Sequence, residues 1–354
     1  MNWLIETTAE EFTQIQAGTR SLAAWEARTP NAGGAPRAGD GIVFSCLPEH
    51  TRFCHGSITA VTCMEDAAQV REIFPDAVCH ISPDTSPVYL CEFYPDELPE
   101  DRRRRVHFSL SGRNGYPIPV RLRSADDCRR VLICTHGLFG NMTGSTADGL
   151  TDALPDTTVL SWDLPGHGES PATGADFTQK NCENDLETVI RFAQSMFPSA
   201  PVCLFGTSFG GYLSLLHLFR HPNEISCGVF RCVAVKMHET IENVIVGPKL
   251  MPQFREKGGV ELGFARKMIL YYGFYEETAN TDLLTLPHGV LPPVLLIHGT
   301  ADRLAPIRDA KMLARHARFD FLEIPGAGHT FDRRGDTEAV VTAAAAFYRA
   351  NGNG

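Results

Sequence analysis

From residue 105 onward the chain alternates two kinds of stretch. Short apolar runs, VLICTHG (131–137), TTVLSWD (157–163), PVCLFG (201–206), CGVFRCVAV (227–235), PVLLIHG (293–299) and FDFLEIPG (319–326), have few polar interruptions. Runs of this kind predict strands buried on both faces. Between them lie segments with helical spacing, at 181–197, 211–221 and 307–317. In the first of these Leu186, Val189, Ile190, Ala193 and Phe197 share one face, and Asn181 stands where an N-cap belongs. VHFSL (106–110) and IPVRLR (118–123) flank the turn signal GRNGYP and predict a hairpin. Strand, helix, strand alternation implies a mainly parallel sheet with helices on both faces and functional loops at the carboxyl ends of its strands.

The pattern fails in two places. Between residues 235 and 284 the alternation lapses into a segment rich in methionine and aromatics, read as a small helical cap inserted at about 236–284. Tyr271, Tyr272, Phe274 and Tyr275 are its candidates for lining a pocket. Ahead of residue 100, EEFTQIQ predicts an amphipathic helix, and GDGIVFSC, GSITAVTC and PVYLCEFY predict strands. The proline-punctuated stretch 94–106 switches from acidic to basic and reads as a connector. The expected organisation is therefore a small acidic α+β domain over 1–98 and an α/β domain over 106–354.

Charge separates these parts. The first hundred residues hold five Arg, no Lys and fifteen Asp plus Glu, so they carry the whole formal charge of -10. That surface repels nucleic acid and anionic lipid at long range, and the remaining residues balance to zero. The first residues lack a basic stretch followed by an apolar core, no run approaches the length that spans a bilayer, and the eleven cysteines include no close C-x-x-C pair. These features predict a soluble cytoplasmic protein with free thiols. Cys and His positions also lack close ligand spacing, so neither a metal nor a cofactor is expected.

The chemistry sits at predicted strand ends. Gly206-Thr207-Ser208-Phe209-Gly210 reads G-x-S-x-G where a strand gives way to a helix. Its glycines let strand and helix approach closely while a strained turn lifts one hydroxyl clear of the sheet. The competing reading of Ser208 is an ordinary helix-capping serine. A serine becomes nucleophilic only beside a base, and the base needs an orienting acid. VLLIHGTADRLAP supplies Asp302 and FLEIPGAGHTF supplies His329, each just past a predicted strand.

With HGLFGN (136–141), DLPGHGES (163–170), GTSFGG (206–211), HGTADRLAP (298–306) and GAGHTF (326–331) in this order, residues 106–348 resemble the α/β-hydrolase superfamily, in particular its esterases and serine aminopeptidases. The resemblance implies an α/β-hydrolase fold with a small helical cap, Ser208 as nucleophile, His329 as base and Asp302 as its partner. It also implies an oxyanion hole made by the backbone N–H groups of Leu138 and Phe209. His136, Asp163 and His167 are expected to brace loops. The N-terminal pattern F-x-x-I-x-x-G-x-R, W-E-A-R, G-D-x-I-x-F weakly resembles an ASCH or PUA-like domain. The favoured expectation is a serine hydrolase acting on a small to medium ester, thioester or amide through an acyl-enzyme. A non-catalytic receptor or scaffold of the same fold, and an RNA-associated hydrolase recruited by the first domain, are the alternatives. Homo-oligomerisation or a partner for the N-terminal domain is left open.

Overall fold

The computed structural model describes residues 2–7, 9–16, 22–26, 41–46, 53–64, 88–95, 105–262, 267–287 and 289–352. The chain divides into two compact units, Met1–Asp126 and Asp127–Gly354.

In the first unit, strands β1 (Asn2–Thr7), β2 (Leu22–Glu26), β3 (Gly41–Cys46), β4 (Phe53–Met64) and β5 (Val88–Pro95) form one sheet in the order β1-β3-β4-β5-β2. The β1 and β3 pair is parallel and the other pairs are antiparallel. Helix α1 (Ala9–Gln16) follows β1. Its Phe12 and Ile15, three residues apart and so on one face, are buried with Ile42, Phe44, Cys54 and Ile58. This is the α+β arrangement expected, with β1 and β2 as strands that the sequence did not single out. Gly18, Arg20, Arg28, Gly39 and Asp40 of the weak ASCH-like pattern, and 96–104 of the connector, lie outside the described residues. The expected hairpin is present as antiparallel β6 (Arg105–Ser111) and β7 (Pro117–Arg123), whose Val106, Phe108, Ile118, Val120 and Leu122 are buried.

The second unit is built on six strands: β8 (Arg130–Thr135), β9 (Thr157–Trp162), β10 (Val202–Thr207), β11 (Cys227–Arg231), β14 (Val294–Gly299) and β15 (Asp320–Ile324). They lie in the order β15-β14-β11-β10-β8-β9, and every neighbouring pair is parallel. From β8 the chain steps outward to β9 and then returns to the other side of β8 as β10. The order therefore reverses between β8 and β10, which opens a crevice at their carboxyl ends.

Five of the six runs became strands with both faces covered; β15, at the edge of the sheet, is only half-buried, with Asp320 and Glu323 exposed, against the expectation of a strand buried on both faces. Helices α2 (Ser145–Ala153) and α9 (Asp336–Asn351) supply one layer, in which Leu150, Val340, Ala344, Phe347 and Tyr348 pack on Leu132, Cys134, Cys203, Phe205 and Val229. Burying each such aliphatic or aromatic side chain is worth about 1.5–3 kcal/mol. The Tyr348 hydroxyl donates to the Leu204 carbonyl at 2.7 Å. At the opposite end of the strands, the buried Arg130 guanidinium reaches Asp156 and the Gly352 carbonyl. Helices α3 (Gln179–Met196), α4 (Phe209–Arg220) and α8 (Ile307–Ala317) match the three predicted from spacing.

Two local expectations are corrected. Thr178, not Asn181, caps α3: its hydroxyl accepts from the Asn181 N–H at 3.0 Å, while the Asn181 side chain turns back to the Asp176 carbonyl. The run 227–235 is strand only as far as Arg231, because Cys232 has φ of 47°, a left-handed conformation that a strand cannot continue through.

The segment after β11 holds helix α5 (Met237–Thr240) and a π-turn at Ile241–Ile245, then α6 (Met251–Lys257) and an antiparallel ribbon of β12 (Gly259–Leu262) with β13 (Met268–Tyr271), and finally α7 (Tyr272–Ala279). The cap expected here as helical thus also contains a ribbon. Cys54, Cys128, Cys134, Cys182, Cys203, Cys227 and Cys232 are free thiols. No helix among the described residues is long and apolar enough to cross a membrane.

Candidate active site

Ser208 stands between β10 and α4 with φ 54° and ψ -115°. A non-glycine residue held there costs on the order of 1–3 kcal/mol and persists only where its surroundings fix it. Here its N–H donates to the Arg231 carbonyl at 2.9 Å, and its carbonyl accepts from Tyr212 at 3.0 Å. The flanking glycines are required by space. A Cβ on Gly206 would lie 2.6 Å from the Gly210 carbonyl oxygen, and one on Gly210 would lie 2.3 Å from that of Thr135. Although Ser208 occupies the N-cap position, its hydroxyl makes no capping hydrogen bond. A capping serine has extended backbone and accepts from the first turn. Ser208 does neither.

The loop after β8 passes directly beside this hydroxyl. A Cβ on Gly137 would sit 3.1 Å from the Ser208 Cβ. His136 holds the loop in place: its Nε2 accepts from the Leu164 N–H at 3.1 Å, so Nδ1 carries the proton and donates to the Gly137 carbonyl at 2.7 Å. Burial lowers its pKa to about 4, against the opposing effect of the Gly137 bond. Asp163 accepts from the N–H groups of Met142 and Glu169, at 2.7 and 2.6 Å, and His167 Nδ1 lies 2.9 Å from the Pro165 carbonyl. All three residues brace loops, as expected. The N–H groups of Leu138 and Phe209 have no hydrogen-bond partner among the described residues. Both belong to segments that border the crevice between β8 and β10.

Asp302 follows β14, and His329 follows β15. The structure brings them together, with His329 Nδ1 donating to Asp302 Oδ2 at 2.8 Å. A carboxylate can only accept, so this bond places the His329 proton on Nδ1 and leaves Nε2 as the basic nitrogen. Asp302 Oδ1 accepts from the N–H groups of Leu304 and Ala305, both at 2.9 Å. Burial alone would raise the Asp302 carboxyl. The hydrogen bonds from His298 and His329, the charge of His329 and a contact with Cys232 outweigh burial and hold it well below the usual carboxylate range. Among the described residues Ser208 Oγ makes no hydrogen bond to His329. Such bonds are commonly long in free enzymes and tighten around the substrate.

Two features escaped the sequence reading. His298, 1% exposed, lies 3.2 Å from Asp302 Oδ2. Its sequence signal is an imidazole at the end of an otherwise apolar buried strand. Cys232, His298 and Asp302 also offer donor atoms within 4.8 Å of one another. Since both Asp302 oxygens already accept from protein groups, the set acts as a hydrogen-bonding shell around the carboxylate. The second feature is Arg231, whose guanidinium lies 5.0 Å from the ring centroid of Phe331, two residues beyond His329.

Of the four aromatics singled out in the inserted segment, Phe274 packs on Phe209, the residue after Ser208. Its ring centroid is 5.3 Å from that of Phe209 and 4.6 Å from that of Phe177. Tyr272 and Tyr275 pack on Phe254, with hydroxyls bonded to Arg255 and Glu242, and Tyr271 is exposed.

Residues 131–343 match the family model described as "Alpha/beta hydrolase family". The chain is 22% identical over 233 residues to a monoacylglycerol lipase of Mycolicibacterium smegmatis, covering 59% of this chain and 83% of that one. It is 26% identical over 210 residues to the uncharacterized protein YfhR of Salmonella typhi, covering 58% of this chain and 65% of its relative. Among solved structures, Est1E from Butyrivibrio proteoclasticus with bound ferulic acid superposes with a TM-score of 0.60 at 18% identity. That match spans 69% of this chain and 98% of Est1E.

Proposed function

The chain belongs to the alpha/beta hydrolase family, and from that premise we propose that it is a serine hydrolase cleaving a carboxylic ester, thioester or amide of small to medium size. The observation that carries this reading is the 2.8 Å bond from His329 Nδ1 to Asp302 Oδ2, which leaves a basic Nε2 on the histidine. In the proposed reaction Ser208 Oγ attacks the acyl carbonyl while His329 Nε2 takes its proton. The leaving alcohol, thiol or amine departs with that proton. Water, deprotonated by the same nitrogen, then attacks the acyl-enzyme, and Ser208 recovers its proton. Asp302 stays ionised throughout and stabilises the imidazolium. The N–H groups of Leu138 and Phe209 are the proposed donors to the oxyanion, supported by their lack of other partners.

An ester is preferred as substrate because the relative named for an activity is a monoacylglycerol lipase. Phe177, Phe209 and Phe274, each 1% exposed or less, pack on one another as a core beneath the inserted segment, so the acyl group has to be met by other side chains. A receptor would gain nothing from the strain at Ser208, which weighs against the non-catalytic alternative.

The test is labelling with a fluorophosphonate probe, together with hydrolysis of short p-nitrophenyl esters. Wild type is expected to label. Ser208→Ala abolishes labelling, and His329→Ala lowers kcat by about 10²–10⁴-fold. Absence of labelling in folded wild type overturns the proposal.

A further inference from the structure

We infer that His298 is a positioning residue for Asp302, fixing the carboxylate so that His329 can take up and release protons without its partner turning. The inference rests on the acyl-transfer reading above. Its basis is the way the donors are divided. Asp302 Oδ1 accepts from two backbone N–H groups of its own loop, Leu304 and Ala305. Oδ2 has imidazoles on it instead, with His329 Nδ1 at 2.8 Å and His298 Nε2 at 3.2 Å. His298 Nε2 is also 3.0 Å from the Ala305 carbonyl. Both neighbours of that nitrogen are acceptors, so Nε2 carries the proton and shares it between them. The Ala305 peptide is thus gripped twice, donating to Asp302 through its N–H and accepting from His298 through its carbonyl.

The two imidazoles differ in what holds them. His298 belongs to β14, paired on both sides in the sheet, and is 1% exposed. His329 lies in the loop after β15 with its side chain 16% exposed. During a catalytic cycle His329 changes charge twice. Without His298, Oδ2 would lose the imidazole fixed in the sheet and keep that changing group and the Cys232 thiol, leaving the two Oδ1 bonds to resist rotation of the carboxylate. The Cys232 thiol lies in the same cluster, within 4.8 Å of the donor atoms of His298 and Asp302.

Two substitutions separate positioning from packing. His298→Leu removes the donor, whereas His298→Gln places an amide N–H near the position of Nε2. With a p-nitrophenyl ester, His298→Leu is expected to lower kcat by about 10–100-fold, by analogy with the loss of hydrogen-bonded partners that orient metal ligands, with KM changed by less than about 2-fold. His298→Gln is expected to recover most of kcat. Proton NMR supplies a readout that packing alone would not move: the far-downfield His329 Nδ1–H resonance is expected in wild type and His298→Gln, and displaced or broadened in His298→Leu. Heteronuclear spectra of wild-type imidazoles are expected to show His298 protonated at Nε2, a measurement independent of how the variants fold. Protonation at Nδ1 instead overturns the inference. So does a folded His298→Leu that labels with fluorophosphonate at the wild-type rate while wild type itself is active. Failure of wild type to label overturns the acyl-transfer reading, and this inference with it.

Discussion

Ser208 and His136 show how much of this site is held by surroundings rather than by the residue itself. Ser208 keeps φ of 54° because strand, helix and neighbouring loop leave it no other path. His136 keeps its loop only while Nε2 can accept, and burial secures this by lowering its pKa to about 4. The unfolded chain protonates that imidazole near pH 6.5. Between pH 6.5 and 4 the unfolded state therefore binds more protons, and stability falls as pH falls. The contribution is complete above pH 6.5 and lost by about pH 4, an effect of about 3 kcal/mol. Urea unfolding across this range is expected to show the slope in wild type and to lose it in His136→Gln. The sequence marks Ser208, Asp302 and His329 as candidates because each follows a predicted strand with a glycine within three residues. It does not mark His298, because a single imidazole inside VLLIHG carries no spacing signal, and its role depends on a loop whose return path the sequence does not reveal.

Among the elements, the strands of the second unit were the most legible. A strand covered on both faces has to be apolar along its length, so its composition announces it. The end of β11 was misread because Cys232–Val235 stays apolar while the backbone turns, and apolarity does not report φ. In the inserted segment the helices are present as expected and only the ribbon was missed: β12 and β13 are four residues each, too short for alternation to stand out from helical spacing. The junction of β10 and α4 has little room for change. A methyl group on Gly210 meets backbone oxygens of Thr135 and His136, at 2.3 and 2.4 Å, and backbone cannot swing aside as a side chain can. Gly210→Ala is expected to destabilise the protein by about 1–3 kcal/mol or more. A thermal melt of Gly210→Ala against wild type measures it.

For the whole molecule, charge and the uneven division of the chain matter most. All of the formal charge of -10 belongs to the first hundred residues. Phosphate binding depends on cations that release counterions, and this segment has five Arg against fifteen acids. A single-stranded RNA oligonucleotide is expected to show no salt-dependent binding to the full chain in a filter assay at low ionic strength. Binding that weakens steeply with salt would favour the RNA-recruited alternative. The layer formed by α9 has a further consequence, for the order in which the protein is made. The apolar face built from Leu132, Cys134, Cys203, Phe205 and Val229 waits for Val340, Ala344, Phe347 and Tyr348. On the ribosome every strand of the sheet precedes its last cover. The nascent chain therefore presents an open greasy surface until α9 has emerged, and its exposure to the cell's chaperones lasts until that helix docks.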